Sequence, residues 1–247
     1  MPDLRLFILT GASRGLGLSM ATQLLAQDDV ELLTISRKPN DSLSGARLTQ
    51  WAVDLAQAEQ AAVRMEGWLA ARDPKGYASV TLINNAALMA PLAPLDRNEP
   101  AVLASAIRVG LEAPLLLTGA FLRATRDWAG MRRVLNVSSG LGRRAMAGCA
   151  PYGAVKAGMD HFSRIVALDE ATRSNGAKIV SLAPGVIDTD MQNDMRSSDP
   201  AGFPDHERVV KQKEQGLLDT PESAAAKVLD FLARASFGEN VVAHVND

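Results

Sequence analysis

Ser139, Tyr152 and Lys156 bring a hydroxyl, a phenol and an ammonium into one short stretch of chain, SSGLGRRAMAGCAPYGAVK. Tyr152 and Lys156 are four residues apart, so on a helix they share a face and the cation lies beside the phenol. A free tyrosine titrates near 10, which makes it a poor proton shuttle at neutral pH. An adjacent positive charge favours the phenolate, so Lys156 is expected to lower the tyrosine pKa and fit it for acid-base work. Ser139 follows the run 134–137, which reads as a buried strand ending in a hydroxyl. Strand end and helix start could then converge on one carbonyl oxygen. A Tyr-x-x-x-Lys pair also arises wherever a lysine merely snorkels along a helix, so the elements around it must decide.

The chain has 247 residues, suited to one large α/β domain. With 47% hydrophobic and 22% charged residues and a formal charge of −2, it has a globular composition and offers no electrostatic case for nucleic acid. The expected partner is a small molecule. Cys149 is the only cysteine, which excludes an intrachain disulfide. His161, His206 and His244 lack metal-ligand spacing, so no metal is expected. The first strand opens at about Leu4, leaving no room for a leader, and no apolar run of about 18 residues is read further on. A cytoplasmic protein without a membrane partner is the expectation.

The first unit reads strand (4–9), glycine turn, helix (16–25). The turn, Thr10-Gly11-Ala12-Ser13-Arg14-Gly15-Leu16-Gly17, has the spacing GxxxGxG rather than GxGxxG. Its glycines allow a phosphate to approach the N-terminus of the helix, where free N–H groups and the helix dipole favour anions. A second strand, 31–35, runs into Ser36-Arg37-Lys38, where an NAD-binding chain would offer an acidic residue to the ribose 2′-hydroxyl. Arg37 and Arg14 instead favour a 2′-phosphate and hence NADPH. A third strand, 48–53, precedes Asp54 and Leu55, and residues 57–71 read as a helix. The strand 80–83 ends in Asn84-Asn85-Ala86-Ala87. Pro100 opens a long apolar helix to about Arg126 that Gly110 and Pro114 interrupt, with a bend expected. After the strand 134–137 come a helix from 152 to about 173 and a strand 178–182 closed by Ala183-Pro184-Gly185. Residues 190–216 lose the alternation. They read as a mobile lid in which Met191, Met195 and Phe203 close over an apolar substrate, the alternative being a solvated insertion with a short helix near 205–215. A helix 221–235 and a strand 241–245 finish the chain. This alternation predicts a single Rossmann-type domain, a doubly wound parallel sheet of about seven strands in the order 3-2-1-4-5-6-7. The helices 100–126 and 152–173 carry more apolar surface than one sheet-facing stripe needs, which predicts a homodimer or homotetramer.

With TGASRGLG, NNAA, the Ser139, Tyr152 and Lys156 set and APGVIDTDM at these relative positions, the whole chain resembles the classical short-chain dehydrogenases/reductases. The segments APGVIDTDMQNDMRSS and AHVND resemble the benzil reductase and sepiapterin reductase branch. The resemblance implies that Gly11, Ser13, Arg14, Gly15, Leu16 and Gly17 hold the pyrophosphate and 2′-phosphate of NADPH or NADP+. Asp54 and Leu55 would meet the adenine, and Asn85 and Ala86 the adenosine ribose. Pro184, Gly185, Val186, Ile187 and Thr189 would flank the nicotinamide. Tyr152 would be the general acid, Lys156 would bind the nicotinamide ribose and depress the tyrosine pKa, and Ser139 would polarise the carbonyl of a ketone or 1,2-diketone. Two positions depart from the family pattern: Ala87 stands for the last glycine of NNAG, and Gly110 stands where the family places a helix asparagine. A cofactor-binding sensor on the same fold is the alternative, and turnover separates the two.

Overall fold

The computed structural model describes residues 4–247. Seven parallel strands form one sheet: β1 (Leu4–Thr10), β2 (Val30–Ser36), β3 (Leu48–Ala52), β4 (Tyr77–Asn84), β5 (Met131–Val137), β6 (Lys178–Ala183) and β7 (Val242–His244), in the order β3-β2-β1-β4-β5-β6-β7. All their pairings are parallel, as the expected order requires. Eight α-helices cover the sheet and its carboxyl edge: α1 (Gly15–Leu25), α2 (Ala58–Ala70), α3 (Pro100–Ile107), α4 (Ala113–Ala124), α5 (Ala150–Ala171), α6 (Asp190–Arg196), α7 (His206–Glu214) and α8 (Pro221–Ala233).

Side chains alternate across each strand, so β1 sends Phe7 and Leu9 to one face and Leu6 and Ile8 to the other. The first face is covered by α1 and α8 and the second by α2 and α4, giving two apolar cores with strands buried on both sides. A third cluster, Leu92, Cys149, Met195, Phe203 and Val209, sits beyond the carboxyl ends of the strands.

One expectation about the long helix is met, and two points differ from the sequence reading. The long helix passes through a π-helical turn at 108–112 that contains Gly110, and Pro114 follows directly in α4, where it removes one backbone donor, so the interruption expected at these two residues is found. β5 begins at Met131, earlier than the apolar run, because Arg132 is 2% exposed and its guanidinium is satisfied by Glu170 and by the Asn175 and Leu122 carbonyls. Pro100–Ala124 is also, by length and composition, apolar enough to cross a membrane, against the expectation of no such run. In this fold it connects β4 to β5, and α4 buries Leu117, Ala120 and Phe121 against the second core.

The segment 190–216 is not irregular. It forms α6 and α7, tied down at several points: Asp188 pairs with Arg196 at 3.1 Å and with Lys213, and His206 Nε2 bonds the Arg196 carbonyl at 2.8 Å. Phe203 is fully buried in the third cluster and is not exposed to a substrate.

Candidate active site

The carboxyl edge of the sheet opens into a cavity of about 370 Å³, and every site residue predicted from sequence except Phe203 lines it. The glycine turn after β1 contributes Gly11, Ser13, Arg14, Gly15, Leu16 and Gly17; Arg37 comes from the end of β2, Asp54 and Leu55 from the exit of β3, and Asn85 and Ala86 from the exit of β4. Ser139 follows β5, Tyr152 and Lys156 project from α5, and Pro184, Gly185, Val186, Ile187 and Thr189 follow β6.

The turn is as tight as its composition suggests. Gly11 has φ +71, and a Cβ on Gly17 would fall 2.1 Å from the Gly11 carbonyl oxygen. Asn85 clamps this turn to the end of β4, its side-chain amide donating to the Thr10 and Gly11 carbonyls at 3.0 and 3.1 Å. Thr10 Oγ1 in return accepts the Asn85 and Ala86 amides, both at 3.0 Å. Asn85 therefore braces the phosphate turn with its side chain as well as lining the cavity. The first turn of α1 has no side-chain cap and no acidic residue, so its amides and dipole are available to an anion. These features fit a dinucleotide pyrophosphate.

The two arginines separate. Arg14 is paired with Asp190 at 2.7 Å, an exposed pair that bridges the glycine turn to the start of α6. Arg37 is exposed and makes no ion pair among the described residues. Ser36 lines the cavity beside it and accepts the Ala12 amide at 3.0 Å. It is a site residue that sequence reasoning passed over, although a hydroxyl at the end of β2 was visible.

At the other end Ser139 Oγ accepts the Leu141 amide at 3.2 Å, which leaves its proton free to be donated into the cavity. Lys156 is 2% exposed and donates to the Val137 carbonyl at 2.6 Å, its Nζ 5.5 Å from the centre of the Tyr152 ring. The expected lowering of the tyrosine pKa is not found. Burial pushes the Tyr152 phenol up to about 12 against an opposing hydrogen bond with Ser139. Burial also draws Lys156 down to about 8, partly offset by the carboxylate of Asp160. Tyr152 is thus held as a phenol at neutral pH, the form that gives a proton. Gly110 sits in the π-turn, where a Cβ would come 2.6 Å from Val155 Cγ1, so Val155 takes the room that a larger side chain would need. Among the described residues no cluster of His, Cys, Asp or Glu could hold a metal ion.

A doubly wound sheet with a phosphate turn after β1 and a serine, tyrosine and lysine set beside the same cleft defines an oxidoreductase acting on carbonyl or alcohol groups. A family model described as short chain dehydrogenase matches residues 5–200, and the chain belongs to that family, which binds a nicotinamide cofactor. It is similar to the benzil reductase ((S)-benzoin forming) of Bacillus cereus, 31% identical over 99% of this chain and 100% of the relative. The sepiapterin reductase of Meriones unguiculatus is 30% identical over 97% of this chain and 94% of its own length. A solved short-chain dehydrogenase/reductase from Burkholderia vietnamiensis is 34% identical, covers all of both chains and superposes with a TM-score of 0.63.

Proposed function

We propose that this chain is an NADPH-dependent reductase of ketones or 1,2-diketones with apolar flanks, Tyr152 serving as the proton donor. The observation that carries this reading is the convergence of Ser139, Tyr152 and Lys156 on one cavity with the phenol held protonated. The bound reduced nicotinamide supplies the hydride that the carbonyl carbon takes up. Ser139 donates a hydrogen bond to the carbonyl oxygen and polarises it. Tyr152 delivers its proton to that oxygen as charge develops there. Lys156 holds the ribose beside the tyrosine, and its charge favours the phenolate left behind.

The substrate end supports an apolar ketone. Met89, Met146, Met191 and Met195 line it with Leu141 and Val109, a surface that adapts to irregular apolar groups. The benzil reductase of Bacillus cereus is named for an aromatic diketone of that class. The test is a carbonyl panel with NADPH and NADH, including benzil, other aromatic diketones and sepiapterin. Arg37, which makes no ion pair among the described residues, is a cation available to a 2′-phosphate, and a charge-assisted bond contributes about 1.5–3 kcal/mol, roughly 10- to 100-fold in affinity. Arg37→Asp should erase or reverse the preference for NADPH. Tighter binding of NADH by the unaltered chain would refute the charge argument, and tight NADPH binding without turnover of any carbonyl would favour a sensor.

We also infer a homo-oligomer. Ile107, Leu115, Ile165 and Leu168, on α3, α4 and α5, are 37%, 43%, 48% and 72% exposed. Only 33% of the most apolar window of Pro100–Ala124 is buried within one chain. A second copy would cover such surface. Light scattering at micromolar concentration should show a dimer or tetramer, and Leu168→Asp should weaken it; a 26.3 kDa species alone would count against assembly.

A further inference from the structure

Behind Lys156, on the side away from the cavity, lies a polar group that the mechanism above does not use. Asp160 is one helical turn beyond Lys156 on α5 and is 2% exposed. Its Oδ1 accepts the Ser138 hydroxyl at 2.6 Å and the Ser181 hydroxyl at 2.7 Å, so it joins α5 to the ends of β5 and β6. Its Oδ2 is buried with no hydrogen-bond partner. The nearest cation to it is Arg143, from the turn after β5, whose Nε lies 3.8 Å away, too far for a hydrogen bond. Gly142 closes over both residues: a Cβ there would fall 2.9 Å from the Lys156 carbonyl oxygen and 3.0 Å from Asp160 Oδ2.

A buried carboxylate with one oxygen unsatisfied is costly unless a charge compensates it. Arg143 at 3.8 Å supplies part of that charge, and Lys156, one turn back on the same helix, equally buried and bonded to a neutral carbonyl, is the buried cation on which the carboxylate acts. We propose that Asp160 is a positioning residue for the reductase, holding Lys156 charged from behind and anchoring the Ser138 end of the strand that presents Ser139. The inference rests on the reading of Lys156 as the lysine that binds the cofactor ribose. Besides this pair, the charged or titratable groups that surround it are Tyr152 on the same helix and Arg143 on the turn. β6 adds only the hydroxyl of Ser181, and β7 only the Ala243 carbonyl, which accepts from Arg143 at 3.3 Å.

The test is NADPH affinity of the full chain followed by fluorescence against pH. The wild type should lose affinity along an alkaline limb as Lys156, near 8, gives up its proton. Asp160→Asn keeps the shape and an acceptor for both serines but removes the charge. Its limb should move to lower pH by on the order of one unit, costing about threefold in affinity at pH 7.5 and nothing at pH 6. Arg143→Gln, at a half-exposed side chain, should move the limb upward, and it decides the matter if Asp160→Asn does not fold. Ser181→Ala loses one hydrogen bond to the carboxylate and should lower Tm with the limb in place. If Asp160→Asn and Arg143→Gln change Tm alone and leave the limb at its wild-type position, Asp160 is a packing group and the proposal falls. Lys156→Ala with wild-type affinity and limb would instead overturn the underlying reading of the lysine.

Discussion

Tyr152→Phe is expected to lower reductive turnover by roughly 10² to 10⁴, the scale of a lost general acid, with NADPH affinity within about twofold of wild type. The ring that shapes the cavity stays; only the hydroxyl goes. The loss should fall on kcat more than on KM, because the proton moves in the transition state and the ground-state contacts of the ring persist. The pH dependence separates this role from a merely structural one. With burial pushing the phenol to about 12, wild-type reduction should show no tyrosine limb below pH 9, and any alkaline fall should follow Lys156, drawn to about 8. Alcohol oxidation, which needs the phenolate to accept a proton, should rise with pH over the same range. A Tyr152→Phe protein turning over within threefold of wild type would remove Tyr152 from the mechanism.

The inversion of the expected tyrosine shift shows what a sequence can carry. The spacing of Tyr152 and Lys156 places both on one face of α5, and they do share the cavity. Spacing does not say how deeply a side chain is buried, and burial sets the direction of the shift. Strand order followed from the alternation of elements because each connection is a parallel crossover. The β5 boundary did not, because a buried Arg132 looks like loop until Glu170, 38 residues later, is brought to meet it. Phe203 misled in the opposite sense: in a polar stretch it read as a substrate contact, but α6 and α7 fold back and make it core with Leu92 and Cys149. Asp160 was hidden for a similar reason. A carboxylate on a helix reads as solvated, and only the meeting of Ser138 and Ser181 from two strands gives it a buried place. Local turns and periodicities were legible; long-range partners of buried charges were not.

Gly17→Ala should reduce NADPH affinity by roughly 10²-fold, a loss of about 2.7 kcal/mol, and lower Tm as well. A single methyl group has this reach because of what surrounds it. The added Cβ would sit 2.1 Å from the Gly11 carbonyl oxygen and 2.6 Å from Asn85 Nδ2. The first of these is backbone and cannot rotate away, and the second is pinned by its bonds to the Thr10 and Gly11 carbonyls. Relief requires that the turn and the start of α1 move apart, which also undoes the clamp between β1 and β4. The amides of the first turn of α1 then no longer point where an anion would sit, and the dipole contribution falls off within that turn. Gly67, with nothing within 4 Å of its added Cβ, is the control: alanine there should raise helix stability slightly and leave binding unchanged. Catalysis at saturating NADPH should survive in Gly17→Ala far better than affinity does, because Ser139, Tyr152 and Lys156 stand on β5 and α5, outside the displaced turn. If Gly17→Ala binds NADPH as wild type does, the glycine turn is not the phosphate site. If it loses kcat and affinity in equal measure, the turn and the reacting groups move as one body.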